Sequence, residues 1–170
     1  QDTGKGNNAL NFVANFGADS TSPGSGTVNY LGSYRFEIKY SEPAGVKVGA
    51  NQPSALMAMN RAIEMISNLK TPYDLDKKAE RTTYTVGVGS CTPAPEGERS
   101  KECTLLVDMR SPTPGPLKDI RSKIEPAFAK ALQQENAKYG LKDGDAKAVK
   151  MELVWFGDRP AHKRKNYDDP

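Results

Sequence analysis

Hydrophobic and polar residues alternate along several stretches of this 170-residue chain. In the first, residues 34–40, every second side chain is apolar or aromatic, and charged side chains stand between them. A period of two is typical of a strand with one buried face. The same pattern predicts three further strands, over residues 81–89, 103–109 and 148–156.

Two other stretches have the spacing of an amphipathic helix. Residues 54–69 carry a stripe of apolar side chains, and Pro53 suits a first helical position because its missing N–H costs nothing there. Residues 117–139 carry a second stripe. Pro126 lies within that stretch and is expected to kink or divide the helix, because proline removes a backbone donor and crowds the preceding turn.

The elements follow one another as strand, helix, strand, strand, helix, strand. This order predicts an α+β domain of the ferredoxin-like β-α-β-β-α-β type, with a four-stranded antiparallel sheet and both helices on one face. The other face of such a sheet is open, and a sheet with an open face and a free edge usually docks on something.

Composition excludes several classes of partner. The net charge of +3 comes from 24 basic and 21 acidic residues, which is too weak for a nucleic-acid footprint. The third predicted strand has no aromatic residue on which RNA bases could stack. No apolar run approaches the roughly 20 residues of a membrane helix. The basic cluster at 162–165 favours a solvated tail over phosphate or membrane contact. We therefore expect neither nucleic-acid nor membrane partners.

Candidate chemistry is sparse. The single histidine, His162, has no nucleophile that the sequence brings near it, so no catalytic residue is predicted. Two cysteines and one histidine also make a metal or cofactor site within the chain improbable. Asp108 and Arg110 share one face of the third strand, where they form either an ion pair or a substrate contact. Cys91 and Cys103 flank a polar loop and are either disulfide-bonded or two buried thiols.

Several short motifs, in order and spacing, carry a family resemblance. They are Leu31–Ile38, Pro43–Ala50 followed by Pro53 and a helix containing Ala62-Ile63, then Thr83–Val88, Leu106–Ser111 and Phe156–Ala161. Together they resemble the lid, or dimerisation, domain of the M20 family of zinc metallopeptidases. The match is nearest to the group of peptidase T, carboxypeptidase G2 and succinyl-diaminopimelate desuccinylase. It spans residues 28–161.

This resemblance implies a parent enzyme that hydrolyses peptides or amides with zinc held in a separate catalytic domain, encoded on both sides of the lid. It divides the chain into a connector from that domain (1–32), the lid (33–160) and a tail (161–170). The implied partners are the catalytic domain of the same parent chain, a second lid in a homodimer, and the parent's peptide substrate. The chain alone is expected to bind no zinc and to hydrolyse no peptide.

The family's lid histidine, which helps to stabilise the oxyanion across the dimer, falls at Val46, and valine cannot donate a hydrogen bond. The family's asparagine after the second strand has no clear counterpart in residues 91–99. The alternative hypothesis is a stand-alone ferredoxin-like binding or regulatory module. Neither a cytoplasmic nor an extracytoplasmic location follows from these residues.

Overall fold

The computed structural model describes residues 31–69 and 82–161, apart from the side chain of Val88. Most of the predicted connector, most of the tail and the basic cluster at 162–165 lie outside these residues. In chain order, the elements of the described residues are β1 (Gly32–Ser41), α1 (Ala55–Ser67), β2 (Thr83–Cys91), β3 (Glu102–Ser111), α2 (Pro114–Ala137) and β4 (Lys150–Arg159). The α+β class is confirmed.

The strands form one antiparallel sheet in the order β2-β3-β1-β4. β1 is central, so that Phe36 has Val107 of β3 on one side and Trp155 of β4 on the other. Outside these strands, an isolated bridge pairs Lys47 with Glu98. β2 and β4 are therefore the two edges of the four-stranded sheet.

Both helices cover one face of the sheet, and the core lies between. α1 packs mainly on β3 and β1, and it also contacts β2, where the Tyr84 hydroxyl donates to the Ile66 carbonyl. α2 lies over β1, where the Phe36 and Phe128 rings are 5.8 Å apart and the Tyr40 hydroxyl donates to the Phe128 carbonyl at 3.2 Å. The predicted inward residues of the first strand form this face: Tyr34 is half-buried, and Phe36, Ile38 and Tyr40 are fully buried.

The long helix α2 is not divided at Pro126. It runs unbroken from Pro114 to Ala137, and Pro126 lies on its exposed side. Ile124 and Phe128, on either side of the proline, are both fully buried in the core, so packing holds both halves of the helix in place. The helix also begins three residues earlier than the predicted Leu117, because proline is well tolerated in a first turn.

The strand boundaries differ from the sequence-based ones by one to three residues. β4 begins at Lys150 and not at Ala148, because the Asn136 side chain bonds both backbone groups of Val149. Asn136 Oδ1 accepts from the Val149 N–H at 2.9 Å, and its Nδ2 donates to the Val149 carbonyl at 3.0 Å. β2 extends to Cys91, beyond the predicted Gly89, with an irregularity in register between Val86 and Val88.

The two ends of the described domain meet at one corner. The register places Ser33 of β1 opposite Arg159 of β4, and Arg159 donates to the Leu31 carbonyl at 3.1 Å. A Cβ at Gly32 would lie 2.8 Å from the backbone nitrogen of Ala161, so the chains approach too closely for a side chain there. Neither described helix is long and apolar enough to cross a membrane.

Candidate functional site

The residue at the family's histidine position lies in the segment that joins β1 to α1. We call residues 42–54 the crossover loop. Gly45 and Gly49 have φ angles of 75° and 81°, in the left-handed region that favours glycine, so they shape its turns. Val46, between them, is only 8% exposed. Its side chain therefore packs against the domain and offers no donor to a substrate.

A second segment, residues 92–101 between β2 and β3, runs beside the crossover loop. We call it the hairpin loop. Three backbone hydrogen bonds join the loops. Glu42 N–H donates to the Lys101 carbonyl at 2.9 Å, Val48 N–H donates to the Gly97 carbonyl at 2.9 Å, and Arg99 N–H donates to the Val46 carbonyl at 2.8 Å. An exposed ion pair between Lys47 and Glu98, at 2.8 Å, adds a side-chain contact. The two loops thus form one joined surface at this end of the sheet.

Arg99 is the centre of this junction. Its guanidinium donates to the Glu42 carboxylate, to the Gln52 carbonyl at 3.1 Å and to the Pro53 carbonyl at 2.8 Å. These acceptors lie at both ends of the crossover loop. Because one planar group with several donors can hold several acceptors at once, a single side chain fixes both ends of the loop.

A second carboxylate supports the start of α1. Glu135 of α2 is fully buried and accepts from the Ser54 N–H at 3.1 Å and from Arg61 Nε at 2.9 Å. It therefore satisfies a backbone donor at the helix N-terminus, where the first N–H groups have no partner within the helix. Sequence reasoning missed this group, although a glutamate on the apolar stripe of α2 was a signal for it.

The acidity of Glu42 is changed by its surroundings. Burial raises the pKa of the Glu42 carboxyl, and the nearby charge of Glu135 raises it further. The positive charge and hydrogen bond of Arg99 oppose the shift but do not cancel it. The pKa of the Glu42 carboxyl is therefore higher than its ordinary value.

Asp108 and Arg110 form an ion pair on the open face of the sheet. Arg110 donates to the Asp108 carboxylate at 3.0 and 3.1 Å, and Arg35 of β1 donates to it at 2.9 Å. Burial alone would raise the pKa of Asp108, but the hydrogen bonds and charges of the two arginines outweigh it and lower that pKa. Of the two sequence-based readings, the structure favours the ion pair.

The two cysteines are bonded to each other. Cys91 at the end of β2 and Cys103 near the start of β3 are directly opposite in the register. Their disulfide closes the base of the hairpin loop. The open question left by the sequence is therefore answered by the register of β2 and β3.

No group of three or more His, Cys, Asp or Glu side chains within residues 31–69 and 82–161 could hold a metal. The donor set described here does not fit a zinc site, since its acidic residues are paired with arginine or lysine. What the arrangement does chemically is to fix two loops against each other through buried, paired charges.

No protein-family model and no curated protein matches the sequence. Solved structures do match. A hydantoinase/carbamoylase family amidase from Burkholderia ambifaria superposes with a TM-score of 0.57 at 12% identity, over 79% of this chain and 30% of the amidase.

Two further structures agree. A putative amidohydrolase/peptidase from Burkholderia cenocepacia gives a TM-score of 0.56 at 15% identity, over 78% of this chain and 29% of its own. An aminobenzoyl-glutamate utilization protein from Klebsiella pneumoniae gives a TM-score of 0.54 at 18% identity, over 78% of this chain and 30% of its own. This chain shares the fold of one part of these proteins. It spans about 30% of their length.

Proposed function

We propose that this chain is the lid and dimerisation domain of an M20-like hydrolase that cleaves peptide or amide bonds. The observation that carries the proposal is the structural match of 79% of this chain to 30% of an amidase. The amidases and the aminobenzoyl-glutamate utilization protein belong to the M20 superfamily. On this proposal residues 33–160 are the lid, and the flanking residues lead to and from a catalytic domain that holds the zinc.

We also assign the sheet to the ferredoxin-like arrangement. Support comes from the strand order β2-β3-β1-β4 and from the position of both helices on one face. A split pair of β-α-β units produces this order with right-handed crossovers.

The meeting of the two ends at Gly32 and Ala161 supports an inserted domain. A domain whose two ends lie close together can be inserted into a loop of another domain without moving apart the residues on either side of the insertion. The parent's catalytic domain would then lie beyond the β1–β4 side of the sheet.

Val46 limits what the lid contributes to catalysis. Because it is apolar and buried, this position donates no hydrogen bond to an oxyanion. We propose that the lid acts by closing over the site and by pairing with a second lid, while the parent's peptide or amide substrate is activated by groups of the catalytic domain.

The dimer surface that we propose is the β2 edge together with the neighbouring exposed side of α1. β2 is the last strand at one side of the sheet that the described residues form, and it lies away from the corner where the chain enters and leaves. On α1, Leu56 and Met57 are 44% and 42% exposed. Exposed apolar side chains beside the last strand of a sheet are a suitable surface for a second copy.

Light scattering after size exclusion tests the dimer. We expect the wild-type chain to be dimeric and L56E to be monomeric, because a buried charge would face the partner. V154E is the matched control, since Val154 is 46% exposed but lies on the open sheet face. A monomeric wild type, or a dimer that survives L56E and is lost in V154E, would contradict this surface.

The coding sequence on either side tests the proposal that this chain is the lid domain of a longer enzyme. Metal-ligand motifs both upstream and downstream support the lid. Start and stop signals close to these ends would instead support the alternative hypothesis, a stand-alone ferredoxin-like binding or regulatory module.

A further inference from the structure

The disulfide and the crossover loop are linked through the hairpin loop. Cys91 and Cys103 close the base of the hairpin loop, with 12 residues of sequence separation. Gly97, Glu98 and Arg99, near the far end of that loop, make the contacts to the crossover loop. The crossover loop itself contains no cysteine, and the hairpin loop is the segment that both contacts it and is closed by the disulfide.

The contacts depend on how the hairpin loop is held. Arg99 reaches Glu42, Gln52 and Pro53 only while its backbone stays beside Val46. A covalent link at the base of a loop reduces the number of conformations that the loop can adopt. Once the link is opened, the hairpin loop samples more conformations, and the hold of Arg99 on the crossover loop weakens.

We propose that the Cys91–Cys103 disulfide is a redox switch that controls how firmly the crossover loop is held, with Arg99 as the residue that transmits the change. In the oxidised chain the crossover loop is fixed. In the reduced chain it opens locally while the rest of the sheet keeps its structure. Both loops belong to this chain, so the switch does not depend on the proposed lid function.

The reaction is a thiol–disulfide exchange with a dithiol reductant. A thiolate of the dithiol attacks Cys91 Sγ, which is the accessible sulfur because Cys91 is half-buried at the sheet edge and Cys103 is fully buried. The protein S–S bond breaks, a mixed disulfide forms on Cys91, and Cys103 leaves as a thiolate and takes up a proton.

The second thiol of the reductant then attacks the mixed disulfide. It forms the reductant's own disulfide and releases Cys91, which also takes up a proton. Two electrons and two protons have passed to the protein, and the dithiol is oxidised.

Amide hydrogen exchange on the full chain, with and without dithiothreitol, tests the switch. We expect reduction to speed exchange at Val48 and Arg99, two of the three amides that join the loops, by at least about tenfold, since closing a loop of this size stabilises it by more than that factor. Amides of residues 36–39 in the centre of β1 serve as the internal reference and should change little. C91S/C103S without reductant should behave like the reduced wild type.

Two further variants test the role of Arg99. In R99Q the crossover loop should exchange rapidly in both redox states, so reduction adds little. R99K keeps the charge opposite Glu42 without the planar group, and should fall between R99Q and wild type. K101Q, in the same loop, should keep the full redox response, because Lys101 meets the crossover loop only through its backbone carbonyl.

Three results would overturn the switch. The first is unchanged exchange at Val48 and Arg99 in both the reduced chain and C91S/C103S. The second is an equal acceleration in residues 36–39, which would mean that the disulfide stabilises the whole domain. The third is an intact-protein mass showing that dithiothreitol leaves the bond oxidised under native conditions. Fluorescence of Trp155 verifies that each variant is folded.

Discussion

At the scale of single residues, the most informative group is the pair of buried carboxylates with their arginines. The side chain of Glu42 is 1% exposed and that of Glu135 is fully buried, and each is paired with an arginine from another element. Such charges are tolerated only when paired, because an unpaired buried charge costs several kcal/mol. A buried carboxylate therefore implies a positively charged partner, but the sequence does not say which residue it is, since Glu42 and Arg99 are 57 residues apart.

We predict that R99Q destabilises the domain by about 2 kcal/mol or more, because it removes the positive charge that compensates the buried Glu42 carboxylate. K47Q is the matched control. It removes the positive charge of the other ion pair between the two loops, where Lys47 is 69% exposed, and should cost less than about 1 kcal/mol. Urea unfolding measures both. Equal losses for the two variants would show that burial does not decide the strength of these pairs.

At the scale of elements, α2 shows how packing overrides a local rule. Proline within a helix costs roughly 3 kcal/mol because it removes a hydrogen bond and crowds the preceding turn. The helix nevertheless passes through Pro126, since buried residues before and after it are fixed in one core. A local pattern cannot reveal this, because the compensation lies in contacts with β1 and α1.

We expect P126A to stabilise the domain by about 1 kcal/mol or more, because it restores a backbone donor at an exposed position where no packing is lost. The midpoint of thermal unfolding by circular dichroism should rise. K130A, another exposed substitution in the same helix, should leave the midpoint nearly unchanged. A lower midpoint for P126A would mean that the shape proline gives to α2 is needed for packing.

The elements themselves were largely predictable, and their ends were not. Alternation and helical spacing located all four strands and both helices, because each buries one face against the same core. The ends depend on individual contacts. Asn136 takes both backbone groups of Val149 from the sheet, and the cysteine pair continues β2 as far as Cys91. Neither contact leaves a periodic signal.

At the scale of the whole molecule, one cluster of buried residues includes both helices and the strands β1 and β3, with β2 and β4 side chains packed against it. Trp155, the only tryptophan, lies on β4 with its ring 4.6 Å from that of Phe36 and with the Arg121 guanidinium 3.9 Å above it. Its fluorescence therefore reports on the packing between the edge strand β4 and the central strand β1.

A single core predicts a single unfolding transition. Trp155 fluorescence, which follows the sheet, and far-ultraviolet circular dichroism, which follows the helices, should give the same midpoint in urea. The W155F variant, measured by circular dichroism alone, checks that the tryptophan does not itself set the midpoint. Two separate midpoints would mean that β4 leaves the sheet before the helices unfold.

The sequence predicted the α+β class of the fold, because it follows from short patterns along the chain. It could not predict the junction of the two loops. That junction joins residues from both loops with Glu135 of α2, and each of them is an ordinary polar residue until the fold brings them together.

The corner where Gly32 meets Ala161 also determines how the domain responds to a pull. A force that separates the two connections acts on the first pair of residues in the β1–β4 ladder, at Ser33 and Arg159. The hydrogen bonds of the ladder then break one pair after another, starting from this end. A force that slid the two strands past each other would load all of the bonds at once. Tension between the two connections would therefore meet little mechanical resistance, although the ladder has nine residue pairs.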